Sequence, residues 1–131
     1  MAEIKIEDHS AEVLSSLKEQ AQRALESCGL VAEGYAKLLV PVDTGALRNS
    51  ISHKVSDNEC YIGTNMEYAP YIEFGTGKDS VMGGRQTPWV YQAADGNFYM
   101  TNGQRARPYL KPAVADHVDE YKRIIEDNLK R

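Results

Sequence analysis

The tripeptide Asp43-Thr44-Gly45 is the segment of this chain whose residue types match a catalytic loop. It follows an apolar run, as the loop of a retroviral-type aspartic protease does, where two such carboxylates share one proton across a dimer. That chemistry also needs a strand before the aspartate and a later apolar-apolar-glycine segment. The residues before Asp43 carry a helical pattern instead, and Ile62-Gly63 comes too early in the chain. A protease that uses Asp43 is therefore the enzymatic alternative and not the main interpretation.

A structural role explains the same tripeptide without chemistry. The side chain of Asp43 or Thr44 can cap a short turn at residues 46–48 by accepting its first backbone N–H groups. Gly45 permits a close approach of the backbone at that point. We expect this capping role, because a match of three residues is a weak indication of catalysis.

Gly77-Lys78-Asp79 is similar to the end of a phosphate-binding loop. The pattern requires a glycine where Ile72 stands, and a serine or threonine where Asp79 stands. Nucleotide binding is therefore rejected, and we expect no cofactor.

The histidines do not indicate a metal site or an enzyme. They are far apart in the sequence, and none has metal-ligand spacing with a cysteine or another histidine. A surface position is the default expectation for a histidine of this kind, and no Ser-His-acid or Cys-His arrangement follows from the sequence. The three are His9, His53 and His117.

A long helix is the first element that positions these residues. Apolar residues recur every three or four positions, which predicts a helix over residues 10–39 that Pro41 ends. At 1.5 Å per residue this helix is about 45 Å long, more than a small core needs. We therefore expect part of it to meet another subunit. Glycine weakens a helix, so the sequence is compatible with a break or bend near Cys28 and Gly29.

Shorter segments fill the middle of the chain. Residues 50–63 have the pattern of a hairpin, with polar turn residues at 56–58. Residues 67–74 are apolar and aromatic, and fit either a short helix or an irregular strand. Residues 75–87 contain four glycines and no apolar pattern, which predicts a mobile loop.

A second hairpin is predicted over residues 88–101. Its turn is Asp95-Gly96, which supplies the positive φ angles of a tight turn. Aromatic side chains should pair across its strands. The predicted pairs set Trp89 and Tyr91 against Phe98 and Met100.

A C-terminal helix is predicted over residues 112–130, where an apolar stripe follows Pro112. The order of the elements predicts a single α+β domain over residues 1–131. In it, a small antiparallel β-sheet packs against the long N-terminal helix and the C-terminal helix.

Composition limits the class of protein. The 131 residues are 42% hydrophobic, which suits one compact domain. The net charge of −4 argues against a protein whose main task is to coat nucleic acid. The charge is uneven, since residues 1–33 sum to −4 and residues 75–113 to +3.

The two cysteines, Cys28 and Cys60, do not indicate a disulfide framework and suit a reducing compartment. The N-terminus lacks the pattern of a leader, and no stretch approaches the roughly 20 apolar residues of a membrane span. We expect a protein that is made soluble in a cytoplasm and does not enter a membrane.

Three blocks in a set order carry a resemblance to a known family: VDTGALRNSI at 42–51, YAPYIEFGT at 68–76 and RPYLKPA at 107–113. Together they resemble the tail-completion, or head-tail joining, proteins of long-tailed double-stranded DNA bacteriophages, the gene-ten-like neck family. The resemblance implies a structural virion protein, encoded by a phage or a prophage. It implies assembly at the head-tail junction and no catalysis.

The same resemblance implies partners. The family is expected to form a ring, of six copies, around the DNA path, from subunits that can be monomeric in solution. The ring would lie between a head connector or head-completion protein and a tail terminator or tail tube protein. DNA would pass through the lumen with transient, non-specific contacts. A tail terminator or a head-completion protein is the nearest alternative within the phage class.

Site residues follow from the three blocks and from the basic residues of the middle. We expect Tyr68, Tyr71 and Phe74 to lie in the core, with an interface as the alternative. Glu73 among them is expected to pair with Arg48, within the subunit or across a subunit boundary. Arg107 and Pro108 are expected to anchor the loop before the last helix. The structural or interface candidates are Asp43, Thr44, Gly45, Leu47, Arg48, Ser50, Tyr68, Tyr71, Glu73, Phe74, Gly75, Arg107, Pro108, Tyr109 and Leu110. The candidates for contact with DNA are Lys78, Arg85 and Arg105.

Overall fold

The computed structural model describes residues 3–42, 45–93 and 95–130, with Lys78 described by its backbone alone. The α+β class is confirmed: the chain has a long N-terminal helix, two short antiparallel hairpins and a helical C-terminal part. Asp43 and Thr44 lie outside the described residues, so the predicted cap at this position stays a prediction.

The long helix is α1, Ser10–Leu39, and its predicted bounds are confirmed. Its buried residues are Ala24, Cys28, Gly29, Ala32 and Ala36, which recur on one stripe. The helix is continuous through Gly29, so a break there does not occur, and a bend stays a prediction. Glycine is needed there for packing, because a Cβ atom would lie 2.5 Å from Cδ2 of His53 and 2.8 Å from Sγ of Cys60.

A short helix and the first hairpin follow α1. Helix α2 is Ala46–Ser50, and strands β1, Ser52–Ser56, and β2, Glu59–Gly63, pair antiparallel as predicted. Both strands pack against α1. The aromatic segment that the sequence left open is a helix, α3, Ala69–Phe74, with Pro70 in its first turn.

The second hairpin consists of β3, Trp89–Gln92, and β4, Phe98–Thr101. Its predicted register is wrong by one residue: Tyr91 lies opposite Tyr99, and Val90 opposite Met100. The reason is the turn, since Ala93 pairs with Asn97 and encloses three residues instead of two. Gly96 supplies the positive φ angle, +84°. The described strands thus form two separate sheets.

The predicted C-terminal helix is two helices, α4, Leu110–Ala115, and α5, Val118–Leu129. The chain leaves helical geometry at His117, whose φ is −129° and ψ 25°. The His117 ring stacks on Tyr35 of α1, with ring centroids 3.6 Å apart. This stacked position accompanies the change of direction between the two helices, which a stripe of apolar residues does not reveal.

The core lies where α1, α2, α3 and α4 meet. Tyr109 and Ile51 are its largest fully buried side chains. Helix α5 packs along α1 and extends this contact. The buried members of the core are Ala36, Val40, Leu47, Ile51, Ala69, Tyr109 and Ala113.

Candidate docking cleft

The three sequence blocks meet at one open cleft of about 390 Å³. Its first wall comes from the end of α1 and from α2, its second from α3, and its third from the segment before α4. The cleft therefore brings together residues that are up to 66 positions apart in the chain. The lining consists of Pro41, Val42, Gly45, Leu47, Arg48, Tyr68, Ile72 and Arg107.

Helix α2 is positioned by its two ends. Gly45 precedes it with a φ of +84°, in the left-handed region that favours glycine. Leu47 points into the core, whereas Arg48 is exposed at the cleft. At the other end, the Ser50 hydroxyl donates to the Leu47 carbonyl at 2.6 Å, and its oxygen lies 2.5 Å from Oγ1 of Thr64. These contacts tie α2 to the end of the first hairpin.

Glu73 holds the third block against α3. Its side chain is buried, with 6% exposure. The Oε2 atom accepts the backbone N–H of Tyr109 at 2.7 Å and of Leu110 at 3.0 Å, and Oε1 accepts that of Lys111 at 2.9 Å. Three donors at the start of α4 thus satisfy a buried carboxylate.

The predicted partner of Glu73 within the chain, Arg48, is therefore wrong. Arg48 lies on the exposed side of α2, whereas Glu73 faces the first turn of α4. Free backbone N–H groups at a helix start are strong donors for a carboxylate and lose no side-chain entropy. A sequence pattern that considers only charged side chains cannot identify them.

Tyr109 completes the same attachment. Its ring is fully buried, and its hydroxyl donates to the Ala69 carbonyl at 3.5 Å. Burial, with a smaller contribution from the Glu73 carboxylate, raises the pKa of Tyr109 to about 12. Arg107 donates its backbone N–H to the Ile72 carbonyl at 2.8 Å, which attaches the segment before α4 to α3. Pro108 is exposed and Leu110 is half-buried.

The aromatic residues of α3 are not in the core. Tyr68 is 40% exposed, Tyr71 61% and Phe74 38%, so the expectation of core positions is wrong. Helix α3 buries Ala69 and Glu73, which are four residues apart, and the aromatic residues at spacing three lie on its other side. The result is an aromatic face, defined as Tyr68, Tyr71 and Phe74, whose first member lines the cleft.

Gly75 ends α3 at a point of close backbone contact. Its φ is +81°, and a Cβ atom would lie 2.7 Å from the Gln104 carbonyl oxygen and 2.8 Å from the Ala106 nitrogen. The following Thr76 donates its N–H to Gln104 O at 2.9 Å. The first part of the segment predicted as a mobile loop is thus hydrogen-bonded, with a turn of 3₁₀ helix at Gly77–Asp79. Its mobility stays a prediction.

The candidates for DNA contact have different surroundings. The guanidinium carbon of Arg85 lies 5.8 Å from the centroid of the Trp89 ring. Arg105 and Arg107 are both exposed and line a shallow hollow. The side chain of Lys78 lies outside the described part of the structure. A role of these residues in binding DNA remains a proposal.

His53 differs from the expected surface histidine. Only 12% of its side chain is exposed, with Nε2 2.6 Å from Glu26 and Nδ1 3.3 Å from Glu33. The hydrogen bond to Glu26 is the main cause that raises the pKa of His53 above its usual 6.5, and the bond to Glu33 adds to it. The seven-residue spacing of the two glutamates on α1 was visible in the sequence. The sequence did not show that His53 of β1 lies over these two glutamates.

The chemistry of the cleft suits binding. Its described lining offers two guanidinium groups, one phenol and apolar side chains, without a carboxylate, histidine, serine or cysteine. Across the described ranges, no group of three or more His, Cys, Asp or Glu side chains is arranged to hold a metal ion. Within those same ranges, none of the helices has both the length and the apolar character that crossing a bilayer requires.

Comparison with known protein families shows which family the chain belongs to. The HK97-gp10-like family model, described as "Bacteriophage HK97-gp10, putative tail-component", matches residues 5–75. The match runs from the segment before α1 to the end of α3, more than half of the 131 residues. The chain belongs to this family. No curated protein and no solved structure matches it significantly.

Membership confirms the resemblance that the sequence blocks indicated. A phage tail-component family is a family of structural proteins of the virion. The matched region includes the first block, all but the last residue of the second block, and two walls of the cleft. The third block, the second hairpin and α5 lie beyond it. The family match thus covers the first half of the molecule and does not extend to the second half.

Proposed function

We propose that this tail component completes the head-proximal end of a phage tail and joins it to the head. The observation that carries the proposal is the convergence of all three sequence blocks on one cleft that has binding groups and no catalytic group among its described residues. Membership of a tail-component family supports a structural task. Joining two preassembled parts requires docking surfaces, and this cleft is one.

The cleft favours an acidic partner segment. Arg48 and Arg107 each present a planar guanidinium that can hold a carboxylate through two parallel hydrogen bonds. Val42 and Ile72 supply apolar surface in the same cleft, and Tyr68 offers a ring with a polar tip. A peptide with an acidic residue beside an apolar one would fit. We assign this peptide to a protein of the head connector, a head-completion protein, a tail terminator or the tail tube.

The proposed assembly is a ring of six copies around the DNA path, formed from subunits that can be monomeric before they dock. The exposed start of α1 and the second hairpin supply surfaces for contacts between copies. The candidates for DNA contact, Lys78, Arg85 and Arg105, would touch DNA in the lumen transiently, and only where contacts between copies leave them accessible. Symmetry multiplies even a few basic residues, and tight binding would hinder passage of the DNA.

Two alternatives have different consequences. A tail terminator or head-completion protein would act at the same junction, and neighbouring portal and major tail genes would separate these roles. An aspartic protease would need Asp43 at the tip of a strand-turn, yet the element before it is the helix α1, which ends at Leu39. Asp43→Asn abolishes such a protease and leaves a passive joint intact.

The experiment is a gene deletion in the phage, examined by negative-stain electron microscopy. The proposal predicts filled heads and separate, complete tails in the deletion lysate. Complementation with wild-type protein, and equally with Asp43→Asn protein, should restore joined particles. Normally joined particles without the gene would refute the proposal, and rescue by the wild type alone would favour cleavage of a virion precursor.

A further inference from the structure

The second hairpin extends from the body with apolar side chains on both of its faces. Phe98 and Met100 are 69% and 73% exposed, and Val90, Tyr91 and Tyr99 are exposed as well. An isolated two-stranded hairpin is only marginally stable in water, and each of its strands has one unpaired edge. A surface of this kind is normally covered by a partner. We define the arm as residues 85–107.

The base of the arm is fixed to the body. The Trp89 ring packs closely on Gly77, where a Cβ atom would lie 2.8 Å from the ring. Thr76 and Gln104 exchange hydrogen bonds across the two chain segments that enter and leave the hairpin. The arm therefore has a defined direction at its root, while its two faces stay uncovered.

A second surface that no described element of the chain covers is the segment of residues 3–19. Every residue from 3 to 19 is exposed, so the first third of α1 projects beyond the core. We define this segment as the overhang. Val13, Leu14 and Leu17 lie within about 100° of one another around the helix and form an apolar stripe. Glu12 and Glu19 lie on the opposite face of the same helix.

The two surfaces have opposite charge. The tip of the overhang, residues 3–9, has three acidic residues and one basic residue, a net charge of −2. The arm has three arginines and one aspartate, a net charge of +2. The aspartate is Asp95, which lies in the turn and accepts the Tyr99 hydroxyl at 2.7 Å. Uncompensated positive charge therefore lies toward the base of the arm, near Arg85 and Arg105.

We propose that the arm of one copy docks on the overhang of a second copy. The apolar stripe covers one face of the hairpin, and the acidic tip reaches the arginines at its base. The two surfaces are different patches of one chain, so the contact is heterologous and repeats from copy to copy. The inference rests on the proposed ring assembly and names the surfaces that form it.

A second copy fits this arm better than DNA does. The exposed faces of β3 and β4 carry aromatic and aliphatic side chains, and the overhang offers apolar surface to cover them. A phosphate backbone would meet only the arginines at the base. Contact of the arm with DNA, or with another virion protein, is thus the competing outcome in the test.

Photo-crosslinking tests the contact. Benzoylphenylalanine replaces Phe98 in the full chain, and a matched control replaces Tyr61, an exposed residue of β2 on the body. Equal amounts of labelled (¹⁵N) and unlabelled protein are irradiated at high concentration, and again during complementation of the deletion phage. The proposal predicts mixed-isotope crosslinks from position 98 to residues 3–19 and none to them from position 61. The proposal would be overturned if position 98 crosslinks only within one copy, only to another protein or to DNA, or not at all.

Charge reversal gives a second measurement. Glu3→Lys with Glu7→Lys alters the tip, and Arg85→Glu with Arg105→Glu alters the arm. Each pair should lower the association constant between copies about tenfold or more, and the two pairs combined should restore it in part. Glu12→Lys with Glu19→Lys is the matched control on the opposite face of the overhang and should have little effect. Equal effects of the tip and control pairs, or no rescue by the combination, would contradict the docking.

The outcomes separate this inference from the proposed function. If the deletion phage shows separate heads and tails while position 98 crosslinks only to another virion protein, the proposed joining function is supported and the proposed contact between copies is refuted. If copies crosslink through the arm and overhang while the deletion phage makes joined particles, the proposed contact is supported and the proposed joining function is refuted.

Discussion

The carboxylate of Glu73 accepts the backbone N–H of Tyr109, with Oε2 2.7 Å from the amide nitrogen. The same side chain accepts the N–H groups of Leu110 and Lys111, so one residue of α3 fixes the entire first turn of α4. Because α3 and the segment before α4 form two walls of the cleft, this contact determines the shape of the candidate docking surface.

Replacement of Glu73 should therefore destabilise the protein. Glu73→Ala removes the acceptor of three N–H groups, and should cost about 3 kcal/mol in the free energy of unfolding, since hydrogen bonds to charged groups are worth about 1.5–3 kcal/mol each and solvent replaces some of them. Urea denaturation followed by circular dichroism measures this. Glu67→Ala, at an exposed position just before α3, is the control and should change stability by less than about 0.5 kcal/mol. Equal effects of the two variants would show that the contact is unimportant.

The two glycines of α1 should respond in opposite ways to alanine. At Gly29 the new Cβ would lie 2.5 Å from the His53 ring, so overpacking should cost about 1–3 kcal/mol. Gly34 has no atom within 4 Å of that position, so Gly34→Ala should stabilise the helix by up to about 1 kcal/mol. Thermal unfolding of both variants measures the difference. A stabilising Gly29→Ala would mean that His53 and Cys60 do not pack on the helix as described.

The His53 cluster should make stability depend on pH. Its folded-state pKa is raised above 6.5, mainly by Glu26, so its contribution is fully present below pH 6.5 and is lost as the pH rises through the folded value. The other groups around it are Glu33, Lys37 and Cys60. The melting temperature of the wild type should fall relative to that of His53→Gln between pH 6 and pH 9. Melting temperatures of the two proteins that change in parallel with pH would contradict the raised pKa of His53.

The aromatic face of α3 should matter for assembly and not for folding. Tyr71 is 61% exposed, so Tyr71→Ser should change the free energy of unfolding by less than about 0.5 kcal/mol. We expect the same variant to reduce the yield of infectious particles in complementation, because exposed aromatic side chains often anchor interfaces. Val118→Ser, an exposed apolar position on α5, is the control. Full infectivity with Tyr71→Ser would show that this aromatic face is not part of the docking surface.

Local signals in the sequence predicted a good part of the fold. The repeat of apolar residues at three and four positions located α1, Pro41 marked its end, and polar turn residues located both hairpins. The register of the second hairpin was missed because two-residue and three-residue turns share the same Asp-Gly pair, and Ala93 pairs with Asn97 only in the longer one.

The site was harder to predict because its key contacts join distant residues. Glu73 and Tyr109 are 36 positions apart, and the donors are backbone groups that every residue carries. The separation of α4 from α5 accompanies stacking of His117 on Tyr35, a contact that no local pattern specifies. Residues of the blocks around Gly45, Tyr68 and Arg107 line one cleft, and their role as a site stays a prediction. Their shared position became clear only from the fold.

Joining of purified heads and tails in vitro tests the central claim most directly. Heads and tails from the deletion phage are mixed with wild-type protein, with a cleft variant that combines Arg48→Glu and Arg107→Glu, or with a control that combines Lys122→Glu and Arg123→Glu on exposed positions of α5. Joined particles are counted by electron microscopy. The account predicts efficient joining with the wild type and the control, and loss of joining with the cleft variant although it folds. Joining without added protein, or equal joining with the cleft variant, would contradict it.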